Sequence, residues 1–335
     1  MTGYGDESGK SMNQGWTYHD RVDRTTCGLT VLEYYTQRYR HSSQSEWQAR
    51  MSAGQIWLDG VPTDESVRLQ QGQRLAYHRP PWQEPTVPLH FEVLYEDADL
   101  VIVNKPSGLP VLPGGGFLEN TLLTQIQRRY PQSAPVPIHR LGRGTSGLLL
   151  LARSPLARTL LTQQMRDRQI HKVYRALVTG NVVADRLTVT QAIGKIPHPT
   201  LGYIYGATPT GFCAHSECQV LQRHAETTLL EVTILTGRPH QIRIHLAAIG
   251  HPLVGDPLYG VGGIPHQPNP DQPNSEQTTK PTVPGDCGYH LHAYQLTFNH
   301  PKTGELMTQI CPVPTPLLEP CSSFNNSEAR SALES

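Results

Sequence analysis

The chain lacks a net charge: 28 Lys and Arg residues balance 28 Asp and Glu, and charged residues make up only 17% of its 335. Whole-protein electrostatics therefore give no argument for a nucleic-acid partner. Paired cysteines are also absent, because Cys27, Cys213, Cys218, Cys287, Cys311 and Cys321 are scattered with no CxxC among them. In a chain this long that pattern predicts reduced thiols rather than a disulfide framework. No apolar run approaches the roughly 20 residues that span a bilayer. The first ten residues, Met1 to Lys10, are polar and carry Asp6 and Glu7, so they read as neither a secretory signal nor an arginine-rich transit peptide. These absences lead to the expectation of a soluble, cytoplasmic protein that acts away from membranes.

What the chain does have is 29 glycines and 29 prolines, which predict many turns. Its length predicts a large domain with a small accessory one. Residues 1 to about 26 read as polar and frayed. Helical periods follow over Leu29 to Tyr39 and over Ser45 to Ala53. Ile56-Trp57-Leu58-Asp59-Gly60-Val61-Pro62 reads as a hairpin with an Asp-Gly turn, and Arg68 to Ala76 as a further strand. Residues 80–88, opening on Pro80-Pro81-Trp82-Gln83-Glu84-Pro85, form a stiff linker, since prolines hold an extended backbone.

Beyond the linker, Phe91 to Tyr95 and Leu100 to Asn104 read as paired strands, and Thr121 to Tyr130 as an amphipathic helix. Leu148 to Ala152 is a buried strand, and Ser154-Pro155 opens a helix that runs to about Arg168. His171 to Val178, Leu229 to Leu235 and Leu291 to Phe298 are further strands, with a helix from His240 to Ile249 ending at Gly250. Residues 262–286 have almost no apolar content and read as a flexible insertion, and 321–335 as a disordered tail. Many strands without regular βαβ alternation predict an α+β fold: a mixed, mostly antiparallel sheet with flanking helices, plus a small N-terminal α+β domain.

Local charge says more than net charge. Between Ile138 and Arg175 the one acid is Asp167, against Arg140, Arg143, Arg153, Arg158, Arg166, Arg168, Lys172 and Arg175. Such a patch suits a phosphate backbone, because each neutralised phosphate releases condensed counterions. A solvated helix face explains the same charges. Within the patch, Ile138-His139-Arg140-Leu141-Gly142-Arg143-Gly144-Thr145-Ser146-Gly147 is a glycine-rich turn feeding a buried strand. It is not a P-loop, because no Lys-Ser/Thr pair follows it. His240 and His245 lie five apart, not at the i, i+4 spacing of a helical zinc pair, so they read as structural or RNA-contacting side chains. Tyr203 and Tyr205 suit base stacking or a plain exposed loop equally well.

Four further segments accompany the turn: Val101 to Val111 around Lys105, His171 to Gly180 with Lys172 and Tyr174, Leu235 to His245 with Arg238, and Gly250 to Gly260 with Asp256. In this order, and with Leu291-His292-Ala293-Tyr294 closing the set, they resemble the RluA-type pseudouridine synthases over about Leu89 to Pro314. The upstream unit, 26–79, loosely resembles the S-four-type RNA-binding domain. The resemblance implies a catalytic domain at 89–314 that converts uridine to its carbon-linked isomer in structured ribosomal or transfer RNA. It implies neither metal nor cofactor; the chain is expected to work as a monomer.

By the same resemblance the target uridine is flipped out of its helix. Tyr174 matches the tyrosine that stacks beneath the base and serves proton transfer at its carbon 5. Arg238 matches the arginine that pairs with the catalytic aspartate, and Asp256 falls in a structural motif. His139, Arg140, Arg143, Thr145, Lys105 and Lys172 become candidate RNA contacts. Gly142 stands where the family carries the aspartate that attacks the nucleoside. Glycine has no side chain, so either another group does that work or the chain is a catalytically impaired RNA-binding protein on the same scaffold.

Overall fold

A computed structural model describes residues 12–198, 201–265 and 283–318. The N-terminal unit runs β1 (Trp16–Arg21), α1 (Val31–Arg38), α2 (Gln44–Ser52), β2 (Ile56–Leu58), β3 (Val61–Pro62) and β4 (Arg74–Arg79), with the sheet ordered β1-β4-β2-β3. Both helices start in capping boxes, Thr30 with Glu33 and Ser43 with Glu46, which satisfy the first free N–H groups. Asp59 and Gly60 both take positive φ, 49° and 89°, as the predicted tight hairpin turn demands. Trp47, Tyr34, Tyr35, Ile56, Leu69 and Leu75 form the buried core.

Two expectations fail here. The N-terminal stretch is not frayed up to residue 26, because β1 pairs with β4 along its whole length. Its side chains are exposed or half-buried, so no apolar period marks the strand. The strand expected over Arg68–Ala76 starts later and runs further, over Arg74–Arg79, and Arg68 makes only an isolated bridge to Thr30. The Pro-rich linker is anchored to the larger unit. The Glu84 carboxylate accepts hydrogen bonds from the backbone N–H groups of Leu118, Glu119 and Asn120 and from the Asn13 amide.

The larger unit contains β5 (Glu92–Glu96), β6 (Leu100–Lys105), α3 (Leu122–Arg129), β7 (Val136–Pro137), β8 (Ser146–Ala152), α4 (Pro155–Arg166), β9 (His171–Thr179) and β10 (Arg186–Val189). It continues with β11 (Ile193–His198), β12 (Gly202–Ala207), β13 (Ser216–Arg223), β14 (Thr227–Ile234), α5 (Gln241–Ala248), β15 (Leu291–Asn299) and β16 (Leu306–Ile310). The main sheet is ordered β10-β13-β14-β9-β15-β8-β6-β5, with β7 on β8 and β16 on β15, while β11 and β12 form a separate hairpin. Among the described residues only β8 and β15 run parallel. The architecture is thus α+β and mostly antiparallel.

Leu148 to Leu151 are fully buried, as a continuous apolar run between two covered faces requires. The Ser154 hydroxyl caps α4 and Pro155 fills its first position. Of the expected insertion, residues 266–282 lie outside the described residues, but 262–265 and 283–286 are placed against the domain. The expected tail, 321–335, also lies outside them. No helix among the described residues is long and apolar enough to cross a membrane.

Candidate active site

Because β8 and β15 are parallel, the segments entering them arrive side by side at one end of the sheet. The glycine-rich turn precedes β8, and residues 283–290 precede β15. Gly147 makes the pairing possible: it takes a φ of 102°, and a Cβ there would sit 2.3 Å from the Ala293 carbonyl oxygen. On the other side of β15, Tyr174 of β9 lies opposite Ala293. The turn and Tyr174 therefore meet through one residue of β15. The start of α5 adjoins the same end, where Arg243 reaches the Pro284 carbonyl.

The predicted residues divide according to where their side chains point. Tyr174 is buried and packs in the main core, and burial pushes its phenol up to about 12. His139 Nε2 accepts from the Leu150 N–H at 3.1 Å, which fixes the turn to β8. Burial and then the Lys172 charge pull its imidazole down to about 3, so it is neutral. Lys172 is partly buried against the Met165 sulfur, and burial lowers its ammonium. Arg140 is exposed, whereas Arg143 donates from Nε to the Gly285 carbonyl at 2.7 Å and lies over the Phe117 ring. Thr145 is buried, its Oγ1 3.3 Å from Tyr289 Oη.

Lys105, expected to touch RNA, points into the protein and is fully buried. Its three N–H groups go to the carbonyls of Pro106, Leu109 and Arg143, at 2.8, 2.8 and 3.2 Å, tying strand β6 to the turn. Burial pulls its ammonium down to about 7, and a side chain whose donors are spent on backbone has none left for a phosphate. Arg238, expected to pair at position 142, is half-buried. It donates from Nε to the Cys213 carbonyl and stands 5.3 Å over the exposed ring of Phe212.

The buried guanidinium of that segment belongs to Arg243, which sequence reasoning missed. Nε and Nη2 of Arg243 each donate to Asp256 at 2.7 Å, and both side chains are buried. Burial pushes the Asp256 carboxyl up, but Arg243 outweighs it and holds the group ionised. The Arg243 guanidinium lies 4.3 Å from the Tyr289 ring centroid, within cation–π reach. A charged residue inside a helix buried all round was the available signal for Arg243. Tyr289, which follows the polar insertion, carried none.

His240 and His245 are both engaged, His240 with the Tyr259 hydroxyl and His245 with Ser216 and the Gln191 carbonyl. No group of three His, Cys, Asp or Glu side chains among the described residues is arranged to hold a metal.

The fold is that of the pseudouridylate synthases: human RNA pseudouridylate synthase domain containing 1 superposes with a TM-score of 0.51 at 24% identity, covering 69% of this chain and 87% of its own. The RNA pseudouridylate synthase family profile matches residues 99–248. An uncharacterised RNA pseudouridine synthase of Synechocystis is 48% identical over 290 residues, 87% of this chain and 96% of its own. RNA pseudouridine synthase 5 of rice is 43% identical over 90% of this chain and 88% of its own, and ribosomal large subunit pseudouridine synthase D of Neisseria meningitidis 31% over 85% and 75%. The chain belongs to the RNA pseudouridine synthase family and is an isomerase. These relationships favour the enzyme over the catalytically impaired RNA binder.

Proposed function

We propose that the chain isomerises uridine in structured ribosomal or transfer RNA at the mouth of β8 and β15, acting as a monomer in the cytoplasm. The observation that carries this is the single row Gly147, Ala293, Tyr174, which joins the signature turn to the tyrosine strand. The flipped uracil lies on Tyr174, whose buried phenol, protonated at neutral pH, serves the proton transfer at carbon 5. Arg243 supplies the buried positive charge of the site. Position 142 offers no carboxylate, and the isomerisation proceeds without one there.

RNA reaches the site over a basic face. Arg140, Arg158, Arg166 and Arg168 are exposed, three of them along or just after α4, and Arg238 stacked on Phe212 extends the face past α5. Arginine over an exposed aromatic suits a phosphate and a neighbouring base together. The N-terminal unit adds a second RNA grip. The test is incubation of purified protein with RNA extracted from cells lacking the gene, followed by pseudouridine mapping. New pseudouridine that disappears with Tyr174→Phe is expected. RNA that is bound but gains no pseudouridine sinks the reading in favour of a non-catalytic binder.

A further inference from the structure

Gly142 and Gly144 make room for one side chain, that of Tyr289. A Cβ built on Gly142 would sit 2.8 Å from Tyr289 Oη, and one on Gly144 would sit 2.9 Å from two ring carbons of Tyr289. Real Cβ atoms do not approach so closely, so neither position accepts a larger residue unless Tyr289 moves. The space a side chain at 142 would enter is already held by a phenol.

That phenol is placed from several sides. Its ring rests on Arg243, which Asp256 clamps, and Asp256 is itself held by the N–H groups of Leu258 and Tyr259. Arg243 also reaches the Pro284 carbonyl, fixing the segment that leads to Tyr289. Next to it Gly255 approaches Gly288 so closely that a Cβ would lie 2.3 Å from the Gly288 oxygen.

Its hydroxyl is poorly used. Tyr289 is only 5% exposed, and its hydroxyl meets Thr145 Oγ1 at 3.3 Å. Hydroxyl pairs normally close to about 2.7–2.8 Å. A buried hydroxyl with one long contact keeps hydrogen-bonding capacity to spare, so a rigidly held one at the edge of exposed Gly142 can take a second acceptor. Burial pushes the phenol up and the Arg243 charge beneath the ring pulls it part of the way back, which leaves a neutral, polarised donor.

We propose that the Tyr289 hydroxyl is the group this enzyme presents to the target nucleotide at position 142, donating a hydrogen bond to one of its oxygens during isomerisation. This rests on the proposed function above and adds a catalytic residue that the signature turn does not contain. Gly142 is then part of a matched pair, kept small so that the phenol can reach the substrate.

The test uses Tyr289→Phe, 3,5-difluorotyrosine at 289, and the pair Gly142→Ala and Gly142→Ala/Tyr289→Phe, all in the full chain. Tyr289→Phe should fold normally and bind RNA with affinity within about threefold of wild type, while its single-turnover rate falls about 10- to 100-fold, the range for losing one or two factors of ten in barrier. Difluorotyrosine, nearly isosteric but more acidic, should retain activity and shift the alkaline limb of the pH–rate profile to lower pH. Gly142→Ala alone should destabilise the protein. Adding Tyr289→Phe should restore stability, since without Oη the nearest atom to the new Cβ is Thr145 Oγ1 at 3.4 Å. It should not restore the rate. A Tyr289→Phe enzyme within twofold of the wild-type rate overturns this inference alone. A wild-type protein that makes no pseudouridine overturns the functional reading and this inference with it.

Discussion

Arg243 and Asp256 form a two-pronged ion pair in which the side chains are only 3% and 1% exposed. The pair ties the start of α5 to the loop after it and holds a positive charge under the Tyr289 ring. Asp256→Ala leaves the guanidinium buried and unpaired, which should destabilise the fold by about 3–5 kcal/mol. Urea denaturation measures this directly. An unchanged midpoint would show that the pair is solvated in solution.

The two arginines of the α5 segment should separate by phenotype. Arg238→Ala removes a surface cation over Phe212, so RNA binding should weaken and the slope of log affinity against log salt should fall by about 1. Tyr174→Phe should leave that slope unchanged and abolish product. Salt titrations of both variants against the same RNA decide the matter; equal slopes for Arg238→Ala and wild type refute the assignment.

Three histidines should set the response to acid. Burial holds His139 at about 3, and His240 and His292 at about 4, against an ordinary value of 6.5. Below pH 6.5 the unfolded chain takes up protons that the folded chain refuses. Stability is therefore complete above 6.5 and falls as pH drops toward 4, by up to about 1.4 kcal/mol per histidine per pH unit. Unfolding free energies at pH 7, 6 and 5 should decline in sequence, and a flat profile would contradict the neutral assignments.

A separate acid limb should come from Asp97. Burial alone would raise its carboxyl, but hydrogen bonds from Leu100 N, Asp99 N, His300 and Tyr95 hold it down to about 2. Its folded value lies below the ordinary 3.8, so its stabilisation is present above pH 3.8 and lost as pH falls toward 2. Asp97→Asn should remove about 2 kcal/mol at pH 7 and flatten the unfolding curve between pH 4 and 2. Retention of that limb in the variant would place its origin elsewhere.

Elements with a local cause were legible in the residues. The Asp59-Gly60 turn, the Ser154-Pro155 helix start and the buried run Leu148–Leu151 each rest on a conformational or solvation preference confined to a few residues. β1 was not legible, because its order comes from backbone pairing with β4, more than fifty residues away, and its side chains show no apolar face. Arg68 illustrates the reverse: a plausible strand composition yields only a bridge when no neighbouring strand continues alongside it.

The sequence by itself determined the α+β class, the isomerase signature from Ile138 to Gly147 and the absence of a side chain at 142, since these depend on local pattern and residue identity. Only the tertiary structure decided which charges serve the site. Lys105 turned inward onto three carbonyls, Arg238 settled on the Cys213 carbonyl, Arg243 was buried with Asp256, and Tyr289 filled the space beside Gly142. Side-chain direction at these positions follows from the parallel register of β8 and β15 and from what packs against α5. Those are long-range relations, and no local period encodes them.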